Sequence, residues 1–399
     1  MLQRTPLFAA HQRSQARFVT FGGWELPVHF TSIVEEHLAV RRAAGLFDIS
    51  HMGEFLVTGP GAGDFLNHAL TNDVARLAPG QGQYTLLCNA RGGVVDDLYL
   101  YRLKPDDYLL IVNAARIPAD WEWLQAQVDH APTPGAFKLR NASAEHGAVA
   151  VQGPRVAEFM DRVIPGGSIG GALAPRVTAL QKNQIGGFVF RGGSLWVART
   201  GYTGEDGFEV FAPADMIEAV WERMLEVGAA HGLQPAGLGA RDTLRTEMGY
   251  PLYGHELSED LTPLEAGLGA FVSFDKGEFL GRQPLVTQKT FGVARRCVAF
   301  RVTERSAPPR PGYPICRPGP ERDRLGMVVS GTQSPSLGVG IGMGYVGVDF
   351  AKPGQALTIL IRGQAAPAVV VRSPSTSRAG RERRPRPPRQ NRVDQGSES

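Results

Sequence analysis

The chain of 399 residues is long enough for two or three domains, and its 43% hydrophobic and 20% charged residues are typical of a globular protein. No run of about 18 apolar residues occurs, which argues against a membrane-spanning helix, and the cysteine and histidine spacings predict no metal site. The formal net charge of +3 is uneven, because residues 372–399 carry eight arginines and three acids and leave a balance of −2 for residues 1–371.

The first third of the chain alternates between helical and strand-like patterns. A helix is predicted from about residue 30, because Ser32 and Glu35 have the spacing of a capping box and Gly45 is typical of a helix stop. Two strands around the turn at Ala90–Gly93 predict a hairpin. A buried strand and then a helix at 117–128 follow.

A similar order of strands and helices recurs later and includes helices at 156–163 and 239–249. This alternation predicts an α+β body over residues 1–283 with mixed or antiparallel sheets. From about residue 284 no helical period is visible, and short strands between Gly/Pro turns predict a small β-barrel or sandwich domain over 284–371. Residues 372–399 predict a disordered basic tail. The tail has no aromatic residues to stack bases, so nucleic acid is not an expected partner.

Two adjacent carboxylates follow a Gly-Gly turn in the segment GGVVDDL, residues 92–98. Side chains alternate faces along a strand, so Asp96 and Asp97 cannot both face the same way. We expect one of them to point inward, where burial and neighbours tune its pKa, and the other to be solvated or to cap the turn. An ordinary turn is the alternative interpretation, because Asp is common in turns.

The Gly-rich segment RTGYTGEDGFEVF, residues 199–211, combines an aromatic residue with several acids at the start of a strand. Glu209 lies in this strand, and Tyr202 lies on the loop before it. A carboxylate with a nearby ring suits a flat heterocycle that carries N–H donors. The alternative is a hairpin with exposed acids.

A third segment, GARDTLRTEMGYPLYG at 239–254, places two arginines four residues apart. Arg241 and Arg245 therefore share one helix face, and paired arginines suit the anionic tail of a ligand. The alternative is a salt-bridged helix surface, in which Asp242 and Glu247 are the candidate partners.

Taken together and in chain order, these segments resemble the aminomethyltransferases of the glycine cleavage system, the T-protein family. The similarity runs from Arg4 to about residue 360. It rests on the segments RTPLF (4–8), FGGWELPV (21–28), FDISHMGEF (47–55), GGVVDDL (92–98), VQGP (151–154), RTGYTGEDGFE (199–209), ARDTLRTEMGYPLYG (240–254), TPLEAGL (262–268), SPSL (334–337) and GMGYV (342–346).

The resemblance implies a three-domain, cloverleaf-like α+β fold with a C-terminal β-barrel. Two interleaved subdomains over 1–283 would surround a central opening that holds tetrahydrofolate. The implied substrate is an aminomethyl group on the lipoyl arm of H-protein. The folate N5 would attack the methylene carbon, ammonia and the dihydrolipoyl thiol would be released, and 5,10-methylenetetrahydrofolate would form.

The same resemblance implies a role for individual residues. Asp97 matches the second Asp of the family's G-G-x-x-D-D motif and is the expected catalytic carboxylate near N10 of the folate. Asp96, Glu205 and Arg245 are expected to be structural. Glu209 matches the acid that binds the pterin ring, and Arg241 matches a basic group near the glutamate tail. The full set of expected folate-binding residues is Met52, Tyr84, Asn113, Tyr202, Glu209, Arg241 and Tyr250.

Two other functions of the same fold are the alternatives. A free-standing folate-dependent demethylase is one, although its oxidising relatives carry a flavin domain that this chain lacks, and no flavin is expected. A non-catalytic folate-binding protein of iron–sulfur maturation is the other, but Glu278 stands where that group has a cysteine. Because the similarity begins at residues 2–4, we expect no presequence and a bacterial cytoplasmic protein.

Overall fold

A computed structural model describes residues 2–131, 133 and 135–372. The predicted tail beyond Arg372 lies outside the described residues. Within them the chain forms eight α-helices, and none of these is long and apolar enough to cross a membrane. The helices are α1 (Phe8–Arg13), α2 (Ile33–Arg42), α3 (Ala62–Ala69), α4 (Ile117–Val128), α5 (Met160–Val163), α6 (Ile217–Gly228), α7 (Leu238–Met248) and α8 (Arg282–Phe291).

One sheet is five-stranded and antiparallel. In spatial order its strands are β5 (Gln81–Cys88), β6 (Val94–Lys104), β7 (Asp107–Val112), β4 (Gly53–Thr58) and β8 (Lys138–Asn141). The predicted hairpin is confirmed as β5–β6. Its turn needs glycine, because Gly92 has a φ of +81° and a Cβ at Gly93 would lie 1.8 Å from the carbonyl oxygen of Glu259.

A second sheet is seven-stranded and mixed, since one edge strand runs parallel to its neighbour. In spatial order its strands are β10 (Gly170–Gly171), β11 (Ile185–Phe190), β12 (Gly193–Ala198), β13 (Gly207–Pro213), β9 (His146–Gln152), β3 (Ala44–Asp48) and β14 (Leu233–Pro235). A separate hairpin pairs β1 (Arg17–Phe21) with β2 (Trp24–His29).

The C-terminal part closes into a six-stranded antiparallel barrel. Around the barrel the strands are β15 (Arg295–Val302), β18 (Gly340–Gly347), β17 (Arg324–Gln333), β16 (Pro314–Cys316), β19 (Ala356–Ile361) and β20 (Gln364–Val371). The predicted α+β fold with mixed sheets and a closing β-barrel is therefore confirmed.

A shared apolar core lies between the five-stranded and the seven-stranded sheet. It contains Tyr101 and Ile111 from the five-stranded sheet, Ala148 and Phe211 from the seven-stranded sheet, and Leu244 from α7. All five side chains are at most 7% exposed. Polar side chains next to this core therefore approach one another where the two sheets and α7 converge.

Helix α2 begins where the sequence predicts. The Ser32 hydroxyl oxygen accepts a hydrogen bond of 3.2 Å from the Glu35 backbone N–H. The predicted stop is wrong, because the helix ends at Arg42 and Gly45 lies within β3. A Cβ at Gly45 would lie 2.4 Å from Cγ2 of Val40, so this glycine lets helix and strand pack closely.

Two further helix predictions differ from the structure. The segment 156–163 is split into a 3₁₀ turn (Val156–Glu158) and the four-residue α5, because Phe159 leaves the helical conformation. The prediction that no helix follows residue 284 is wrong, because α8 continues to Phe291. Leu285 is the buried residue of α8, so the helix has almost no apolar period. The division at 283/284 falls inside α8 and stays a prediction.

Candidate active site

The carboxylate of Asp97 is held at both oxygens. Asp97 lies on β6, and the Tyr84 hydroxyl on β5 donates to Oδ2 over 2.8 Å. The side-chain amide of Asn113, which directly follows β7, donates to Oδ1 over 2.9 Å. Neighbouring strands of one sheet thus fix the carboxylate, while the Asp97 side chain stays partly exposed.

The surroundings of Asp97 favour the protonated, neutral carboxyl over the carboxylate, compared with an aspartate in water. Burial, followed by the charge of Asp96, raises the pKa of Asp97 to about 7, although the hydrogen bonds from Tyr84 and Asn113 oppose this. Burial also raises the pKa of Tyr84 well above its usual range, so this hydroxyl remains a donor. A carboxyl that titrates near neutral pH can both accept and return a proton.

Asp96 corrects one expectation. The expectation that the outward carboxylate is solvated or caps the turn is wrong for Asp96, which is 0% exposed. The alternation along β6 still turns the two side chains to opposite faces, but α4 covers the Asp96 face and brings Asp120 against it. The Asn113 backbone N–H and side-chain amide donate to Asp96 over 3.0 and 2.9 Å. The sequence predicts the alternation but not the helix that covers the outer face.

An aromatic pair and a guanidinium form a second part of the site. The rings of Tyr202 and Tyr250 stack with their centroids 5.7 Å apart. The guanidinium of Arg241 on α7 lies 4.8 Å from the Tyr202 centroid. The charge of Asp97 contributes to raising the pKa of Tyr202, after burial, so Tyr202 also lies near the catalytic candidate.

Glu209 lies on β13, and its charge interacts with that of Arg241. The Thr200 hydroxyl donates to its Oε2 over 2.6 Å, and the hydroxyls of Thr200 and Tyr101 are 2.8 Å apart. Burial raises the pKa of Glu209, while the Arg241 charge opposes that shift. Glu209 is thus a partly buried acceptor beside a cation, with one oxygen already bound.

An open cleft of about 240 Å³ adjoins these groups. Tyr250 is the predicted site residue that lines it, and Tyr99 is a lining residue that the sequence analysis missed. Tyr99 lies two residues after Asp97, so strand alternation alone places it on the same face of β6. The other lining residues are Lys182, Asn183, Arg199, Thr200, Gly201, Gly204, Glu205, Asp206 and Gly207.

Met52 and Tyr99 each pack against the core between the sheets. Contacts and charge interactions join the other predicted residues from Asn113 through Asp97, Tyr84 and Tyr202 to Arg241 and Glu209. Most of these residues therefore come together in one region, although the set spans more than 100 residues of the chain.

The salt-bridge partners on α7 are partly as expected. Arg245 is buried and pairs with Asp242 at 2.8 Å and with Glu256 at 3.1 Å. The expectation that Glu247 pairs with these arginines is wrong, because it pairs with Arg41 of α2 at 2.8 Å. Glu247 lies two residues after Arg245, which places it on the opposite side of the helix.

Comparison with known proteins identifies the family. The family model described as the GCVT N-terminal domain matches residues 7–276, and the glycine cleavage T-protein C-terminal barrel domain matches 295–375. The chain belongs to the aminomethyltransferase family of the glycine cleavage system. The predicted family and enzyme class are confirmed.

Curated relatives match over nearly their whole length. The aminomethyltransferase of Desulfitobacterium hafniense (strain Y51) is 42% identical over 384 residues, which are 95% of this chain and 99% of the relative. That of Symbiobacterium thermophilum is 45% identical over 375 residues, covering 94% and 97%. The crystal structure of glycine cleavage system aminomethyltransferase T from Bartonella henselae matches with a TM-score of 0.84 at 32% identity, covering 94% and 98%.

Proposed function

We propose that this chain takes the aminomethyl group from the lipoyl arm of H-protein, releases ammonia and forms 5,10-methylenetetrahydrofolate. The observation that carries the proposal is the Asp97 carboxyl, held between Tyr84 and Asn113 with a pKa of about 7. Such a group suits a transfer in which protons move between nitrogen and sulfur at neutral pH. The family match supports the same reaction.

The residues present fit a bound tetrahydrofolate. Nη1 of Arg241 is buried and has no hydrogen-bond partner among the described residues, so it can take an acceptor from a ligand. Glu209 offers a carboxylate to the N–H donors of a pterin, and Tyr202 offers a ring face. We assign these roles together with contacts from Met52 and Tyr250 at the edge of the site.

Tetrahydrofolate supplies two nitrogens that accept the methylene carbon and lose two hydrogens. One of these hydrogens ends on the released ammonia and the other on the dihydrolipoyl thiol, so the reaction balances without an oxidant. We assign to Asp97 the movement of one of these protons, to Tyr84 the donation of a hydrogen bond that holds Oδ2, and to Asn113 the same task at Oδ1. The partly covered position of Asp97 limits the water that competes for the proton.

We also propose that the partner is the lipoylated H-protein and that the chain works in the bacterial cytoplasm without metal or flavin. The bacterial relatives named aminomethyltransferase support this assignment. Within the described part of the chain, no group of three or more His, Cys, Asp or Glu side chains is arranged to hold a metal ion.

The experiment is the release of ammonia from aminomethyl-loaded H-protein, measured with and without tetrahydrofolate. We expect release that depends on tetrahydrofolate and is matched by formation of 5,10-methylenetetrahydrofolate. Binding of tetrahydrofolate without turnover would contradict the transferase assignment and favour a demethylase or a non-catalytic folate binder. Absence of both binding and turnover would contradict the folate site itself.

A further inference from the structure

A pair of buried acids lies behind the candidate active site. Asp96 on β6 and Asp120 on α4 are both 0% exposed, and their carboxylates lie within reach of a hydrogen bond that needs a proton on one of them. Among the described residues, no N–H or O–H group donates to either oxygen of Asp120. Two ionised carboxylates in such contact would repel strongly away from water, so one of them must hold a proton.

The hydrogen bonds decide which acid is neutral. Asp96 accepts the backbone N–H and the side-chain amide of Asn113 at 3.0 and 2.9 Å, and both bonds favour its ionised form. Asp120 has no such donors. Burial and then the charge of Asp96 raise the pKa of Asp120 to about 11.

The groups that face this pair do not change the assignment. Arg116 approaches Asp120 from the start of α4 and its charge lowers the pKa of Asp120, but by less than burial and the Asp96 charge raise it. The Nη2 of Arg116 donates to Glu259 over 2.8 Å. Tyr253 approaches from the segment after α7, and burial raises its pKa to about 12, so it is neutral. On the other side of β6 are Asp97 and Tyr84, which the active site already uses.

The pair is linked to the catalytic candidate by one amide. The Asn113 NH₂ group donates to Asp96 Oδ1 and to Asp97 Oδ1, each over 2.9 Å. An amide between two carboxylates has a fixed orientation, because only its nitrogen side can donate. A group that keeps Asp96 ionised therefore also keeps the orientation of the Asn113 amide. That orientation in turn fixes the Asp97 carboxylate.

We propose that Asp120 is a positioning residue, which keeps its proton, donates it in a hydrogen bond to Asp96, and thereby fixes Asp97 through Asn113. This proposal rests on the proposed function only in that Asp97 is taken to be the catalytic carboxyl. No proton leaves Asp120 during turnover. Asp120 keeps Asp96 ionised behind the site. It thereby keeps the Asp97 carboxylate in a single orientation.

The test compares Asp120→Asn with Asp120→Ala. Asn still donates to Asp96, so we expect kcat within about 3-fold of wild type and an unchanged pH profile. In Asp120→Ala the donor is lost and Asp96 takes the proton, which turns Asn113 away. We expect kcat to fall roughly 10- to 100-fold with little change in KM for tetrahydrofolate, the size of loss seen when the hydrogen-bond partner of a metal-ligating side chain is removed.

The pH profile separates positioning from mere packing. Loss of the Asp96 charge lowers the pKa of Asp97 by more than loss of the weaker Asn113 hydrogen bond raises it. The acidic limb of kcat against pH therefore moves to lower pH in Asp120→Ala and stays in place in Asp120→Asn. Equal behaviour of the two variants, or an unmoved limb in Asp120→Ala, would overturn the proposal.

A second measurement needs neither turnover nor the alanine variant. The infrared difference spectrum of wild type minus Asp120→Asn at pH 8 should contain the carbonyl stretch of a protonated carboxyl. Its absence would show that Asp120 is ionised and would end the proposal. If wild type failed to transfer the aminomethyl group, the proposed function would fail, while this spectrum would still decide where the proton lies.

Discussion

Asp97 is partly exposed, with a donor on each carboxylate oxygen, and its titration depends on how much water reaches it. Its raised pKa, about 7, means that the carboxyl is protonated below neutral pH and ionised above it. A base with this pKa loses activity as pH falls. We therefore expect the rate of aminomethyl transfer to rise with pH through about 7 and then to level off, as seen in initial rates of ammonia release.

The substitution Asp97→Asn tests the same group. The amide cannot take up a proton, so we expect turnover to fall roughly 100-fold or more, which is the range of acid–base catalysis. Circular dichroism and the melting temperature should change little, because the shape is kept. Asp106→Asn, at an exposed aspartate beyond β6, is the matched control. Near-normal turnover in Asp97→Asn would remove Asp97 from the mechanism.

A substitution at Glu209 tests the binding of tetrahydrofolate rather than the transfer chemistry. A hydrogen bond to a charged acceptor contributes roughly 1.5–3 kcal/mol, so Glu209→Gln should weaken tetrahydrofolate binding by about 10- to 100-fold in calorimetry. Glu122→Gln, at an exposed position on α4, should leave the Kd unchanged. Asp96→Asn should weaken binding less than Glu209→Gln. Equal, small effects of both would contradict the pterin assignment.

At the scale of elements, the close approach of α2 to β3 depends on a single missing side chain. A Cβ at Gly45 would lie 2.4 Å from Val40 Cγ2 and 3.5 Å from Cβ of Ala236. Gly45→Ala should therefore destabilise the protein by about 1–3 kcal/mol through overpacking, measured by urea unfolding. Gly269→Ala, where a Cβ would meet nothing within 4 Å, is the control. Equal unfolding midpoints for both variants would contradict this account.

Helix α7 connects the site to the barrel. Arg241 extends toward Tyr202 and Glu209, whereas Arg245 donates to Ser330 of β17 over 2.8 Å. On the opposite side of the helix, Glu247 accepts hydrogen bonds from the segment that joins β17 to β18. The position of the guanidinium in the site therefore depends on contacts that lie in the barrel.

At the scale of the whole molecule, Glu247 joins the barrel to the body. Its carboxylate accepts from Ser334, Ser336 and Arg41, and lies 3.2 Å from His37. Burial raises the pKa of Glu247, but the bonds to His37 and Ser334 and the charge of Arg41 outweigh it, and the pKa is about 2. A lowered pKa stabilises the fold above the ordinary value of 4.5, and this stability is lost as pH falls toward 2.

We therefore expect Glu247→Gln to destabilise the protein by about 3 kcal/mol at pH 7, because it breaks a buried charged network. Its stability should also change less between pH 5 and pH 3 than that of wild type. The free energy of unfolding in urea at both pH values measures this. Glu226→Gln, at a surface pair on α6, should cost less than about 1 kcal/mol. Parallel pH dependences in Glu247→Gln and wild type would contradict the assignment.

Much of this protein could be predicted from its sequence, because local patterns specify local structure. Strand alternation and the Gly-Gly turn predict the β5–β6 hairpin and the opposite faces of Asp96 and Asp97. The ordered motifs predict the family, the mixed fold and the barrel. These features depend on residues that lie within a few positions of one another, and a period or a turn residue is enough to encode them.

The chemical role of each group depends on contacts that only the folded chain makes. Whether Asp96 is solvated depends on α4, which covers it, and Gly45 serves the close packing of β3 against Val40 rather than the end of α2. Glu247 binds Arg41 rather than a neighbour on its own helix. Burial and electrostatic contacts arise between segments tens to hundreds of residues apart. The pKa of Asp97 and the proton between the acids behind it therefore follow only from the folded chain.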